Sequence, residues 1–242
     1  MEAIAQRVRA ILAKIERAAA RAGRSPASVR LVAATKSVPI GRVREALEAG
    51  VRILGESRLQ EALPKIEAIG AASGACWHFI GRLQRRKARA VVGLFEMVHS
   101  VDSLALAIEL DRRAAAAGIR QAVLLEVNIG REPGKAGFTP PGVVDAVLAV
   151  DELAHLEVRG LMAIPPPAGD PEAARPYFRE VRELAHTLAR KGLQHVRMDE
   201  LSMGMSRDFE VAIEEGATLV RIGTAIFGPR PAEVKDDGAA GF

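Results

Sequence analysis

The sequence predicts an α/β fold, a single (β/α)8 barrel of the TIM type with one extra helix at its N-terminus. Three observations carry that reading. Short apolar, β-rich runs alternate with longer helical patterns along the whole chain, as parallel βαβ units require. Eight such runs occur, with mostly short connections and no low-complexity linker between them. The length of 242 residues matches the roughly 250 typical of a closed eight-stranded barrel.

In chain order, the opening segment carries Ile4, Val8, Ile11, Leu12 and Ile15 at helical spacing among charges of both signs. It reads as a docked helix and not as a signal peptide, which would hold one continuous apolar stretch. Because it precedes the first strand it stands outside simple (β/α)8 order, and it is expected to cover the bottom of the barrel. Strands are expected at 29–35, 51–54, 77–81, 97–101, 122–128, 157–164, 196–202 and 218–223. The last is the clearest: TLVRIG is apolar and β-branched, and it runs into a glycine where a strand yields to a loop. Helices are expected at 40–49, 58–69, 83–94, 103–117, 141–150, 171–191 and 207–215. Regular units with no visible break in strand order favour closure over an open doubly wound sheet. Residues 1–230 form one domain on this reading, and the tail 231–242 is expected to be mobile.

Composition narrows the function classes. The chain is 49% hydrophobic and 26% charged, an ordinary globular balance, and no apolar run approaches the roughly 20 residues needed to cross a bilayer. No membrane association is expected. The single cysteine, Cys76, excludes an internal disulfide and a multi-cysteine metal site, and suits a reducing cytoplasm. A net charge of +4 raises nucleic-acid binding, but only 4% of residues are aromatic and no recognition motif is evident, so no nucleic-acid partner is expected.

In a barrel, the loops at the C-terminal ends of the strands carry the site. Strand one ends in Ala34-Thr35-Lys36-Ser37. Lys36 therefore stands at the mouth, either as an imine-forming amine or as a surface lysine whose stem lies along apolar neighbours. The stretch from Ser202 through Gly204 to Ser206 joins strand seven to the helix at 207–215, where Ser206 is placed to cap that helix and offer its hydroxyl to an anion. After strand eight, Gly223 and Thr224 open the first turn of a short extra helix, a place where barrels frequently hold phosphate. The two glycines permit close backbone approach and the two hydroxyls add donors; without a ligand the same residues make an ordinary cap and turn. Arg221 lies inside an apolar strand and needs an acceptor, either a ligand atom or a carboxylate such as Glu200 or Glu210.

The segments LVAATKSVP, GESRLQEALPKI, WHFIGRLQRRK, VLLEVNIGREPGKAGF, VRGLMAIPPP and LSMGMSRDFEVAIEEGATLVRIGTAIFG follow one another as in the pyridoxal phosphate homeostasis protein family, also called proline synthase co-transcribed proteins. The chain resembles that family over nearly its whole length, and the family resembles the barrel domain of alanine racemase. The resemblance implies pyridoxal 5′-phosphate (PLP) as cofactor, held as a Schiff base on Lys36, with Arg221 facing the pyridine nitrogen and Ser206, Gly223 and Thr224 on the phosphate. A guanidinium only donates, so it would pair with an unprotonated ring nitrogen and leave the ring a poorer electron sink. Racemases of this likeness add a tyrosine base from a second, β-rich domain. No such domain is expected here, the one tyrosine, Tyr177, falls in a helical segment, and a second proton-transfer group is unassigned.

The resemblance therefore implies a cytoplasmic, non-catalytic role in PLP (vitamin B6) homeostasis and supply, with PLP-dependent apo-enzymes as recipients. A monomer is expected, because the racemase's second domain and its dimer contact are missing. An amino-acid racemase or related α-carbon enzyme is the alternative, and a basic interaction module a third. Further residues near the expected pocket are His78, Asn128 and Met162, with a structural histidine an equal reading of His78. The chain departs from the family pattern at Ser57, where an asparagine is common, and at Arg82, Arg85 and Arg86, which form either an anion-attracting rim or a solvated helix face.

Overall fold

A computed structural model describes residues 2–229; the tail 231–242 lies outside the described residues. Eight parallel strands close into one barrel in sequential order: β1 (Arg30–Ala34), β2 (Ile53–Glu56), β3 (Cys76–Phe79), β4 (Met97–Val101), β5 (Gln121–Val127), β6 (Leu156–Ala163), β7 (Val196–Ser202) and β8 (Leu219–Ile222). The outer helices are α2 (Ile40–Glu48), α3 (Leu59–Ile69), α4 (Leu104–Ala117), α5 (Pro140–Asp151), α6 (Arg175–Ala189) and α7 (Phe209–Glu214), and a short α8 (Thr224–Phe227) follows β8. Local chemistry sets several boundaries. The Ser103 hydroxyl accepts from the Leu106 N–H at the start of α4, and Gly118 ends that helix at φ +66. Thr139 caps α5 in the same way, followed by Pro140 at the first helical position.

Strand side chains alternate between two cores. Leu31, Ala33, Trp77, Phe79, Val98, Leu161, Val220 and Ile222 pack outward against the helices. Val32, Ile53, Met97, Leu124, Met162 and Leu219 form a separate apolar cluster, the plug inside the barrel.

Three expectations change. The opening helix, α1 (Glu2–Arg21), buries Ile4, Val8, Ile11, Ile15, Ala18 and Ala19, but it packs against α2, α7 and α8 instead of closing the bottom. The reason is the four-residue length of α8: too short to cover β8 and β1, it leaves a gap in the outer ring that α1 fills. The segment 83–94 forms 3₁₀ turns over Arg85–Ala90 and no α-helix. Its buried residues Leu83, Ala88 and Val91 do not hold a 3.6-residue stripe across their first interval. The segment 171–191 splits into a 3₁₀ turn, Pro171–Ala174, and α6, which begins around Pro176, a residue tolerated only in a first turn.

Candidate cofactor site at the barrel mouth

Lys36 stands two residues past the end of β1, and the backbone on both sides of it is anchored. On one side Thr35 is fully buried; its hydroxyl donates to Glu56 Oε1 at 2.7 Å, and its carbonyl accepts from Lys65 Nζ at 2.7 Å. Lys65 also donates to Glu56 Oε1, so a buried ion pair lies beneath the lysine turn. On the other side Ser37 takes φ +58, a left-handed conformation unusual for serine, with its N–H on Glu61 Oε2 at 2.6 Å. Such a conformation persists where its surroundings over-determine it, as these contacts do. Lys36 itself is half-buried and lines a cavity of about 760 Å³ together with Ser57, Gly81, Arg82, Arg85 and Asp102.

The pairing of β1 with β8 sets Val32 opposite Arg221 and Ala33 opposite Ile222. Gly223 therefore lies against Ala34, two residues before Lys36. A Cβ at Gly223 would sit 3.2 Å from the Ala34 carbonyl oxygen. Thr224 is exposed at the start of α8, and the Ser206 hydroxyl accepts from the Ala225 N–H at 3.4 Å. Ser206 is not the cap of α7, contrary to expectation. The chain first turns at Gly204, φ +89, and Asp208 Oδ1 takes the Met205 N–H at 2.6 Å, so the helix starts only at Phe209. Gly204 is required there, because a Cβ would lie 2.5 Å from that of Ala212.

Arg221 is buried and forms no carboxylate pair. It donates to the Ser202 hydroxyl and carbonyl and to the Ala163 carbonyl, the last at 3.0 Å. Glu200 pairs instead with Arg30, and Glu210 with Lys14 and Arg21, so the ion-pair alternative fails. Burial lowers the Arg221 guanidinium to about 10, against the raising influence of Glu126 and Asp208. Glu126 on β5 moves the other way: burial, then Asp102, raises its carboxyl, while Arg221 and Arg82 pull it down.

The remaining candidates separate by burial. Ser57 shares the cavity with Lys36. His78 and Ser202 are fully buried, joined through His99, a residue the sequence reading missed. Met162 belongs to the apolar plug at 1% exposure. Asn128 spends both ends of its amide on its own loop, donating to the Glu132 carbonyl at 2.9 Å and accepting from the Glu132 N–H at 3.1 Å. Glu56 and Lys65 were also missed. Their signals were a carboxylate closing an apolar strand and a lysine on the same helix face as Leu59 and Ala62.

Fold and mouth together define a barrel of the alanine racemase type: the sequence profile described as alanine racemase, N-terminal domain, matches residues 7–231. Whole-chain relatives narrow the class. A protein of Aquifex aeolicus (strain VF5) named pyridoxal phosphate homeostasis protein is 45% identical over 225 residues, 93% of this chain and 97% of its own. One of Escherichia coli (strain K12) with the same name is 40% identical over 233 residues, 95% of this chain and 98% of its own. The chain belongs to the pyridoxal phosphate homeostasis protein family. Among solved structures, PipY of Synechococcus elongatus PCC7942 with PLP bound matches at TM-score 0.81 and 36% identity, over 93% of this chain and 100% of that one. An alanine racemase of Clostridium difficile 630 matches at TM-score 0.71 and 13% identity over 58% of its chain, a likeness of fold confined to part of that enzyme.

Proposed function

We propose that this protein binds PLP as a Schiff base on Lys36 and acts in PLP homeostasis and supply. The observation that carries the reading is the β1–β8 corner of the mouth, where Lys36, Arg221 and the Gly223–Thr224 turn come from neighbouring strands. The donor set suits the cofactor. Arg221, buried without a carboxylate, has more N–H groups than its protein acceptors use and suits a ring nitrogen that accepts. Ser206, Gly223 and Thr224 suit a phosphate. Ser57 lines the same cavity as Lys36; Ser202 and Gly204 hold Arg221 and its turn, with the Arg221 N–H on the Gly204 carbonyl at 3.0 Å.

When bound, PLP supplies an aldehyde that condenses with an amine; the chain orients and shields it. The lysine turn is fixed by Thr35, Lys65 and Glu61, so the amine is presented from a rigid backbone. A second proton-transfer residue is not evident: Tyr177 is packed half-buried against the outer core on α6. Storage and delivery to apo-enzymes therefore fit better than turnover, and the protein is expected to act as a cytoplasmic monomer built as one domain, 1–230. Among the described residues no helix is long and apolar enough to cross a membrane.

Purified protein soaked with PLP should turn yellow, and Lys36→Ala should lose that absorption. Colourless wild type would end the proposal. Lys36-dependent exchange of the α-proton of L-amino acids in deuterated water would replace the carrier by a racemase-like enzyme.

A further inference from the structure

One polar chain crosses the barrel interior behind Arg221. Arg221 on β8 donates to the Ser202 hydroxyl on β7, which lies 2.9 Å from His99 Nδ1 on β4. His99 Nε2 lies 2.9 Å from His78 Nδ1 on β3. His78 Nε2, buried and without a hydrogen-bond partner, stands 3.8 Å from Glu96 Oε1, one residue before β4 begins. Ser202 and both imidazoles are shielded from solvent, whereas the Glu96 side chain is 55% exposed. The chain thus links a buried cation to a carboxylate at the surface.

Its direction follows from donor chemistry. A guanidinium only donates, so Ser202 Oγ accepts from Arg221. If the hydroxyl hydrogen then goes to His99 Nδ1, His99 carries its hydrogen on Nε2 and gives it to His78 Nδ1. His78 in turn carries its hydrogen on Nε2, facing Glu96. The opposite polarity would leave the buried Ser202 hydrogen without an acceptor and aim a nitrogen lone pair at a carboxylate. Only the first arrangement aligns every dipole with the positive end at Arg221 and the negative end at Glu96.

The surrounding charges agree. Burial, then His78 and Arg221, hold His99 well below its ordinary range, so it stays neutral. Glu96 is held near 2, first by the facing His78 and then by Cys76, with Arg30 adding to the effect, so it stays charged. Glu126 and Asp208 are the carboxylates that act on Arg221, and neither is within bonding distance of it.

We propose that His99 and His78 are positioning residues for Arg221, forming with Ser202 a one-way relay to Glu96 that sets how the guanidinium is presented at the mouth. For the cofactor's ring nitrogen this rests on the PLP reading above. The relay itself is read on the apo-protein. Nitrogen-15 correlation spectra of labelled histidines should give both His78 and His99 as Nε2–H tautomers, and an Nδ1–H tautomer at either ring would overturn the proposal. On the loaded protein, His99→Leu should weaken PLP binding about tenfold, the size of one hydrogen bond to a charged group, and shift the cofactor's absorption band. His99→Gln can accept from Ser202 and donate to His78, and should restore most of both. Wild-type affinity and spectrum in His99→Leu would overturn the relay's role; where that variant fails to fold, the wild-type tautomers decide. Wild type that never takes up PLP would count against the functional reading alone, since the tautomers do not depend on it.

Discussion

Lys65 lies under the lysine turn with 10% of its side chain exposed, and among the described residues its anionic contacts are the fully buried Glu56 and, at 4.0 Å, Glu61. Lys65→Met keeps the apolar stem and removes the ammonium. Glu56 then loses its counter-charge, one oxygen already having no hydrogen-bond partner, and the Thr35 carbonyl loses its donor. Removing one partner of a buried pair costs about 3–5 kcal/mol, because the other charge stays desolvated. At roughly 2–4 °C per kcal/mol for a domain of this size, Tm should fall by about 6–20 °C. Replacing both partners, Glu56→Leu with Lys65→Met, removes the stranded charge and should recover most of the loss, since well-packed apolar pairs replace buried ion pairs at little cost. Urea and thermal unfolding of wild type, the single variant and the double variant measure this. A single-variant cost below about 1 kcal/mol, or a double variant no better than the single, would refute the account.

Two further outcomes follow from the same structure. Gly204→Ala places a Cβ 2.5 Å from Ala212 and 2.9 Å from the Phe209 Cα at φ +89, so it should cost about 2–5 kcal/mol from overpacking and left-handed strain; a Tm within about 2 °C of wild type would contradict this. The Cys76 thiol is pushed up to about 11 by its hydrogen bond to Glu96 and by burial. At pH 8 only about a thousandth is thiolate, so alkylation should run more than about a hundredfold slower than for a free cysteine and quicken roughly tenfold per pH unit. Labelling at the free-cysteine rate would show the Glu96 contact to be wrong.

The order and type of nearly every element were legible in the sequence. Every strand end lies within two residues of its expected position, because a parallel barrel strand is a local signal: a short apolar run bounded by loop residues. The positions of Lys36, Gly223 and Thr224 were legible for a related reason, since a strand's C-terminal end marks the mouth. The exception at 83–94 is also local, a segment whose apolar spacing looked helical by composition and was not by period.

What the sequence by itself could not determine is which polar groups meet across the barrel. Glu56 and Lys65 are 9 residues apart, His78 and His99 21, and His99 and Ser202 103. Each pairing depends on strand register and closure, through which a two-residue alternation turns one face inward. The same closure decided Arg221, whose acceptors proved to be the Ser202 hydroxyl and carbonyl on β7 and the Ala163 carbonyl on β6 instead of Glu200 or Glu210. It also decided α1, drawn into the ring because α8 is too short to complete it. Local periodicity determines where a residue stands along its strand; only the closed sheet decides what it faces, because burial leaves a polar group no water and obliges it to take the nearest protein partner.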